Sequence, residues 1–228
     1  MSTDSRIDLT AFSERIATLR QRVADNVVGQ SQPVHLLLTA LMADGHVLLE
    51  GVPGVAKTLL AKTLSHLLRA DFRRIQFTPD LMPTDVLGTS IFNLGTQQFD
   101  FHPGPVFTQV LLVDEINRAP AKTQAALFEV MEERQVTLDG KTRKLDPCYL
   151  VIATQNPVEQ EGTYRLPEAQ LDRFLLKIDI GYPSHEEELE ILSRYNAGVD
   201  LRDVSALQPV ISAEELLEMR KMLPQVVA

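Results

Sequence analysis

Hydrophobic and polar residues follow helix and strand patterns in turn along the chain. Apolar residues spaced four, three and four positions apart predict an amphipathic helix near the start: Phe12, Ile16, Leu19 and Val23. Short apolar runs predict a buried strand at 46–50, inner strands at 73–77, 110–114 and 149–154, and a fifth strand at 175–180. Helical patterns separate several of these runs. The alternation predicts a doubly wound α/β domain with a parallel sheet.

Two stretches depart from this alternation and predict inserted β-hairpins. Residues 91–101 alternate apolar and polar side chains around Gly95. Residues 135–145 carry Asp139-Gly140 at their centre, which is a strong signal for a hairpin turn. A plain nucleotide-binding sheet needs neither hairpin, so we expect both to be additions to the basic fold.

The last part of the chain, from Gly181 onward, has a helical pattern. Ser184 with Glu187, and Ser212 with Glu215, both fit a capping box, in which the two side chains satisfy free backbone N–H groups at a helix start. Two helices are therefore expected here, at the beginning of a small helical domain.

Composition and charge narrow the class of protein. The chain has 228 residues, 44% hydrophobic and 23% charged, which are ordinary values for a globular protein and exclude extensive disorder. The single cysteine, Cys148, cannot form an internal disulfide. The net charge of −9 is the wrong sign for general affinity to nucleic acid or anionic lipid. The chain shows neither a signal peptide nor a membrane span, so we expect a cytoplasmic protein.

The strongest chemical signal is the segment GVPGVAKT, Gly51 to Thr58, between a predicted strand and a predicted helix. Backbone N–H groups of such a loop point into a concavity and bind phosphates, helped by the helix N-terminus. Lys57 would reach the β- and γ-phosphates of a nucleoside triphosphate, and the Thr58 hydroxyl would ligate Mg²⁺. The strict pattern has glycine where this chain has Ala56. Its methyl group can be accommodated where the loop turns into the helix.

A second signal is the run VLLVDEINRAP, which delivers Asp114 and Glu115 to the carboxyl end of an inner strand. Ligands bind at that edge of an open α/β sheet. Asp114 would hold Mg²⁺, and Glu115 would polarise the attacking water as the general base.

Two more polar candidates lie further along the chain, one just after the fourth predicted strand and one just before the fifth. Asn156, in ATQNP, could hydrogen-bond the γ-phosphate or the attacking water. Arg173, in LDRF, carries a planar guanidinium suited to charge spreading over phosphoryl oxygens.

In this order of motifs the chain resembles the MoxR-type AAA+ ATPases, a clade with an insert in its second helix that also contains magnesium chelatase and MCM subunits. The resemblance runs from about Asp8 to the end, through these segments: VGQ, GVPGVAKT, FTPDLMPTDVLG, GPVF, DEINRAP, ERQVTLDG and ATQNPVEQEGTYRLPEAQLDRF. It implies an αβα sandwich with a five-stranded parallel sheet, two inserted hairpins and a partial C-terminal helical lid. It also implies a nucleotide-binding α/β domain over 1–181 and the start of the lid over 182–228.

The resemblance also assigns roles. Arg173 matches the arginine finger that acts on nucleotide held by a neighbouring subunit, and Val28 and Gly29 match the segment near adenine. Arg118 and Arg165 are further candidates for the subunit boundary. The catalytic set is then Lys57, Glu115, Asn156 and Arg173, with Mg²⁺ on Thr58 and Asp114. The expected ATP contacts are Val28, Gly29, Gly51, Val52, Pro53, Gly54, Val55, Ala56, Lys57, Thr58, Leu59 and Asp114.

By the same resemblance, the active form is a homo-oligomeric ring, a hexamer, that uses ATP and Mg²⁺ to remodel client proteins with von Willebrand factor A domains. Family members continue into a fuller lid with a second sensor arginine, whereas Arg220 lies in no motif that supports this role.

Two alternatives remain at the level of sequence. One is a nucleotide-gated interaction protein with little hydrolysis, which the complete set of catalytic residues disfavours. The other is a DNA-translocating motor. The basic residues Lys141, Arg143 and Lys144 of the second hairpin favour it, and the net charge of −9 disfavours it.

Overall fold

A computed structural model describes residues 10–157, 166–198 and 200–225 of the chain. Its helices are α1 (Thr10–Asn26), α2 (Ser31–Met42), α3 (Lys57–Leu67), α4 (Pro83–Leu87), α5 (Ala121–Glu133), α6 (Glu168–Leu171), α7 (His185–Asn196) and α8 (Ala213–Met222). Its strands are β1 (Val47–Glu50), β2 (Phe72–Gln76), β3 (Gly88–Asn93), β4 (Gln98–Pro103), β5 (Val110–Asp114), β6 (Gln135–Leu138), β7 (Lys141–Lys144), β8 (Leu150–Gln155) and β9 (Leu176–Asp179).

The central sheet has five strands in the order β2-β5-β8-β1-β9, all of them parallel. The three inner strands, β5, β8 and β1, are almost entirely buried. Because parallel strands need crossover connections, helices cover both faces of the sheet. The predicted five-stranded parallel sheet is therefore confirmed.

Alternate residues of the inner strands pack into two separate hydrophobic clusters, one on each face of the sheet. Leu49 of β1 and Leu112 of β5 face the cluster formed with α1, α2 and α3. Leu48 and Leu111 face the opposite cluster, which is formed with α5. This alternation follows from the two-residue period of a strand, and it produces the predicted αβα sandwich.

The position of β2 corrects one prediction. The run 73–77 was expected to form an inner strand, but β2 lies at the edge of the sheet and pairs only with β5. Its residues are exposed or partly exposed, including Arg73, Arg74 and Gln76. An edge strand next to solvent can carry such polar side chains, and a strand covered on both sides cannot.

Both predicted hairpins are confirmed. β3 pairs with β4 in antiparallel register, from Gly88 opposite Pro103 to Asn93 opposite Gln98. β6 pairs with β7 around the Asp139-Gly140 turn, where both residues have positive φ. The hairpins also contact each other, because Ser90 donates a hydrogen bond to Asp139 and the Arg143 guanidinium lies 3.8 Å from the centre of the Phe101 ring.

The two expected C-terminal helices, α7 and α8, both begin at the predicted capping boxes. α7 buries no side chain, whereas α8 buries Leu216 and Met219 in the same cluster as α1, α2 and α3. Arg220 of α8 donates hydrogen bonds to the carbonyl oxygen of Leu41 at the end of α2, at 2.6 and 3.0 Å. The domain boundary at residue 181 stays a prediction. Among the described helices, none is long and apolar enough to cross a lipid bilayer.

Candidate active site

The loop Gly51–Thr58 connects β1 to α3 at the carboxyl edge of the sheet. Gly54 and Ala56 both have positive φ, +90° and +61°. Backbone turns of this kind bring successive N–H groups to one side and form an anion-binding concavity. Val55 is only 4% exposed and anchors the loop in the core. The loop therefore combines a buried anchor, Val55, with the backbone turns that form an anion-binding concavity.

Cationic side chains surround the start of α3. A cavity of about 320 Å³ beside the loop is lined by Lys57, Lys62 and Arg202, together with Thr58 and Leu59. The Lys57 ammonium donates a hydrogen bond to the carbonyl oxygen of Gly51, so its side chain lies back along the loop. Positive charge at a helix N-terminus favours an anionic ligand such as a polyphosphate.

The two residues expected near adenine, Val28 and Gly29, lie at the same edge of the sheet. Gly29 has φ +78°, and a Cβ there would be 3.0 Å from both Pro183 and the Glu187 carboxylate at the start of α7. The neighbouring Gln30 donates a hydrogen bond to the carbonyl oxygen of Gly181, just after β9, at 3.1 Å. The segment therefore packs against the chain that leaves the sheet at its carboxyl edge.

Asp114 ends β5, and both of its carboxylate oxygens accept hydrogen bonds. Arg74 Nε donates to Oδ2 at 2.6 Å, and the Thr154 hydroxyl donates to Oδ1 at 3.1 Å. The residue is only 7% exposed. A carboxylate at this depth needs such partners, because an isolated buried charge is costly.

Glu115 adopts an unusual backbone conformation, with φ +54°. Its N–H donates to the Thr154 hydroxyl at 3.0 Å, so Thr154 contacts both acidic residues. Its Oε2 accepts from Gln76 at 2.7 Å and from Arg118 at 2.9 Å. A left-handed glutamate costs on the order of 1 kcal/mol and persists only where its surroundings hold it, as functional sites often do.

Polar groups also meet where β8 and β1 end. Gln155 donates to the Glu50 carboxylate at 2.6 Å, and Lys177 forms an ion pair with it. Burial alone would raise the pKa of Glu50, but the hydrogen bonds from Lys177 and Gln155 outweigh it and lower that pKa. Asn156 follows directly and is 7% exposed. Because β8 lies between β1 and β5, Asn156 lies between the loop and the Asp114-Glu115 pair.

Three of the expected sites thus share one edge of the sheet. The loop follows β1, Asn156 follows β8, and Asp114 ends β5 with Glu115 directly after it, while β8 lies between the other two strands. Since all three strands are parallel, their carboxyl ends point the same way.

The oxygen atoms at this edge suit magnesium better than a softer metal. Among the described residues no cluster of three or more histidine, cysteine, aspartate or glutamate side chains could form a complete metal cage. Magnesium needs none, because it usually takes one or two protein oxygens together with water and substrate phosphates. The Thr58 hydroxyl and the Asp114 carboxylate fit that requirement.

Arg173 lies away from these residues. It precedes β9, and the nearby Leu175 N–H donates to the carbonyl oxygen of His46, which precedes β1. Arg173 is therefore at the amino edge of the sheet, where it forms an ion pair with Glu132 at 2.7 Å. Within one chain, Arg173 therefore lies away from the loop Gly51–Thr58. Arg165 lies outside the described residues.

Sequence reasoning missed three residues that contact the acidic pair: Arg74, Gln76 and Thr154. Arg74 and Gln76 are two positions apart, so both side chains are on one face of β2. The alternation of polar residues at the end of this strand was the signal in the sequence that could have indicated their contact with the acidic pair.

Comparisons with known proteins agree with this geometry. Residues 46–176 match the family described as "ATPase family associated with various cellular activities (AAA)". The chain is 53% identical to "Chaperone MoxR1" of Mycobacterium tuberculosis over 196 residues, which are 86% of this chain and 51% of that protein. It is 34% identical to "Protein MoxR" of Methylorubrum extorquens, over 92% of this chain and 67% of that protein.

A solved structure has the same fold. It is a crystal structure of a protein from Cytophaga hutchinsonii described as a candidate ATPase, with a TM-score of 0.79 and 45% sequence identity, covering 97% of this chain and 68% of that one. The chain thus spans about half the length of the mycobacterial relative and about two thirds of the other two proteins.

Proposed function

The chain belongs to the MoxR-type AAA+ ATPases, and from this premise we propose that it hydrolyses ATP with Mg²⁺ as a hexameric ring and remodels partner proteins. One observation carries the proposal for hydrolysis. The phosphate loop and the Asp114-Glu115 pair stand at the same edge of the sheet, with only β8 between their strands.

The expected site residues at this edge each have a part in the proposed reaction. Loop N–H groups and the Lys57 ammonium bind the β- and γ-phosphates. Glu115 accepts a proton from a water molecule, whose oxygen attacks the γ-phosphorus. The bond to the bridging oxygen breaks, which leaves ADP and inorganic phosphate. The Asn156 amide orients the water. Thr58 and Asp114 would hold magnesium, which would neutralise part of the phosphate charge.

The position of Arg173 supports a ring. An arginine at the amino edge of one chain can serve a phosphoryl group only if a neighbouring chain presents the nucleotide. Stabilisation of this kind is worth roughly 10³ to 10⁵ in rate in GTPases. Hydrolysis would then be coupled to movement at the subunit interface, which can be passed to a bound client.

The proposed clients are proteins with von Willebrand factor A domains, and the proposed place of action is the cytoplasm. The name of the mycobacterial relative, a chaperone, supports a role in remodelling. Nucleic acid is not a proposed partner, because the chain has a net charge of −9 and Arg143 of the basic hairpin is stacked on Phe101.

Phosphate release measured over a range of protein concentrations, with ATP and Mg²⁺ in excess, tests the proposal. Activity per chain should rise with concentration, because assembly supplies Arg173 from a neighbour. Hydrolysis that does not depend on concentration would contradict catalysis between subunits. ATP binding without hydrolysis at any concentration would favour the nucleotide-gated interaction protein instead.

A further inference from the structure

We propose that Arg74 and magnesium compete for the carboxylate of Asp114, so that Arg74 sets how strongly ATP binding depends on the metal. The inference rests on the proposed function, because it takes Asp114 as a ligand of magnesium. It adds a residue of the edge strand β2 to the site, and it concerns the regulation of metal binding.

The geometry of β2 brings Arg74 to Asp114. In the sheet register Gln76 lies opposite Asp114, and Arg74 lies opposite Leu112, two residues earlier on β5. The Arg74 side chain therefore extends along the strand to reach Asp114 Oδ2, at 2.6 Å from Nε. The adjacent Arg73 projects from the other face of β2 and contacts the carbonyl oxygen of Gly104 at 3.4 Å.

The two partners of Asp114 differ in charge and in exposure. Thr154 is a neutral donor and is 2% exposed, so its hydroxyl is fixed in the core. Arg74 is a cation whose side chain is 50% exposed, against 9% for Asp114. An exposed guanidinium can move into solvent at little cost, whereas the buried carboxylate cannot leave its position.

These differences decide which partner magnesium displaces. Asp114 is a single negative charge, and a divalent cation close to it repels the guanidinium on the neighbouring oxygen. Thr154 carries no charge and can keep its hydrogen bond. Metal binding therefore removes the ion pair between Arg74 and Asp114, and the loss of that pair lowers the net affinity for the metal.

A permanent positioning role for Arg74 predicts the opposite effect. If Arg74 stayed on Asp114 and oriented it towards the metal, its removal would weaken the metal site. If Arg74 competes with the metal, its removal strengthens the metal site. The direction of the change therefore separates the two roles.

The test compares the full chain with its Arg74→Gln variant by measuring the Kd for ATP with excess Mg²⁺ and with EDTA. The quantity of interest is the ratio of the two Kd values, the factor by which magnesium tightens ATP binding. We expect this ratio to rise about tenfold in Arg74→Gln, the size of one charge-assisted hydrogen bond. Arg73→Gln, on the same strand, should leave the ratio unchanged.

Arg74→Lys is the second variant, because it keeps the charge and changes the hydrogen-bond geometry, and it should give a smaller rise. If Arg74→Gln does not fold, the ratio of Kd values is measured with Arg74→Lys instead. An unchanged or lowered ratio in the folded variants, with the wild-type chain binding ATP, overturns the competition alone. Absence of ATP binding by the wild-type chain overturns the proposed function, and the competition with it.

Discussion

Lys57 and Arg173 lie at opposite ends of the strands of the five-stranded sheet, Lys57 at the carboxyl ends and Arg173 at the amino ends. Lys57 begins α3 just beyond the carboxyl end of β1, and Arg173 precedes the amino end of β9, which pairs with β1 along its whole length. A strand of four residues separates the two edges by roughly 13 Å. Glu132, which pairs with Arg173, lies in the last turn of α5 on the same side of the sheet. This separation is the physical basis of the proposal that Arg173 acts on nucleotide held by a neighbouring subunit.

Replacement of Glu115 by glutamine should abolish turnover and leave ATP binding intact. The amide keeps the size of the side chain and can still contact Arg118 and Gln76, but it cannot accept the proton of the attacking water. Loss of a general base costs roughly 10² to 10⁴ in rate. Phosphate release and ATP affinity are the two measurements. Glu129→Gln, an exposed residue of α5, is the control. Turnover at the wild-type rate in Glu115→Gln would remove Glu115 as the base.

Replacement of Gly51 by alanine should destabilise the fold and disturb the phosphate loop together. A Cβ at Gly51 would come within 2.5 Å of the carbonyl oxygen of Ile180, where β1 and β9 end side by side. Overpacking of this kind costs about 1–3 kcal/mol. Chemical unfolding and ATP affinity measure both effects. Gly181→Ala is the matched control, because a Cβ there meets nothing within 4 Å. Equal stability of the two variants would show that the close contact between residue 51 and the Ile180 carbonyl oxygen does not destabilise the fold.

The buried His46 is expected to lower the stability of the folded chain in mild acid. Burial, with a smaller contribution from the positive charge of Arg134, lowers the pKa of His46 from 6.5 to about 4. Its Nδ1 accepts a hydrogen bond from the Val151 N–H at 3.0 Å, which fits the neutral ring. Between pH 6.5 and 4 the unfolded chain takes up a proton at this residue and the folded chain does not.

The free energy of unfolding should therefore fall as the pH drops through that window, by up to about 1.4 kcal/mol per pH unit from this group. Urea unfolding at pH 7, 6 and 5 measures the slope. His46→Asn keeps an acceptor for Val151 and removes the titration, so its slope should be shallower. Parallel slopes for the two proteins would show that His46 does not carry the effect.

Much of the fold could be predicted because its signals are local. Inner strands are continuous apolar runs, since both of their faces are covered, and β1, β5 and β8 all have this pattern. The turn Asp139-Gly140 marked its hairpin, because positive φ is required at both positions. The loop Gly51–Thr58 could be predicted as a phosphate-binding loop because such binding depends on the backbone of the loop and on the helix that follows it.

The surroundings of the acidic pair could not be predicted in the same way. Arg74, Gln76 and Thr154 reach Asp114 and Glu115 only because β2 and β8 flank β5, and strand order is a property of the whole sheet. The prediction of β2 as an inner strand had hidden this relationship. Polar residues are not expected on a covered strand, but they are natural on an edge strand whose end contributes to a site.

Mixing two inactive variants tests the central claim most directly. Lys57→Ala removes nucleotide binding but keeps Arg173, and Arg173→Ala keeps the nucleotide site but lacks the arginine. If Arg173 acts on the nucleotide of a neighbouring chain, phosphate release should be restored in part when the two variants are combined, because mixed rings contain sites with both residues. If the mixture releases no more phosphate than the two variants do separately, although mixed assemblies form, catalysis between subunits is contradicted.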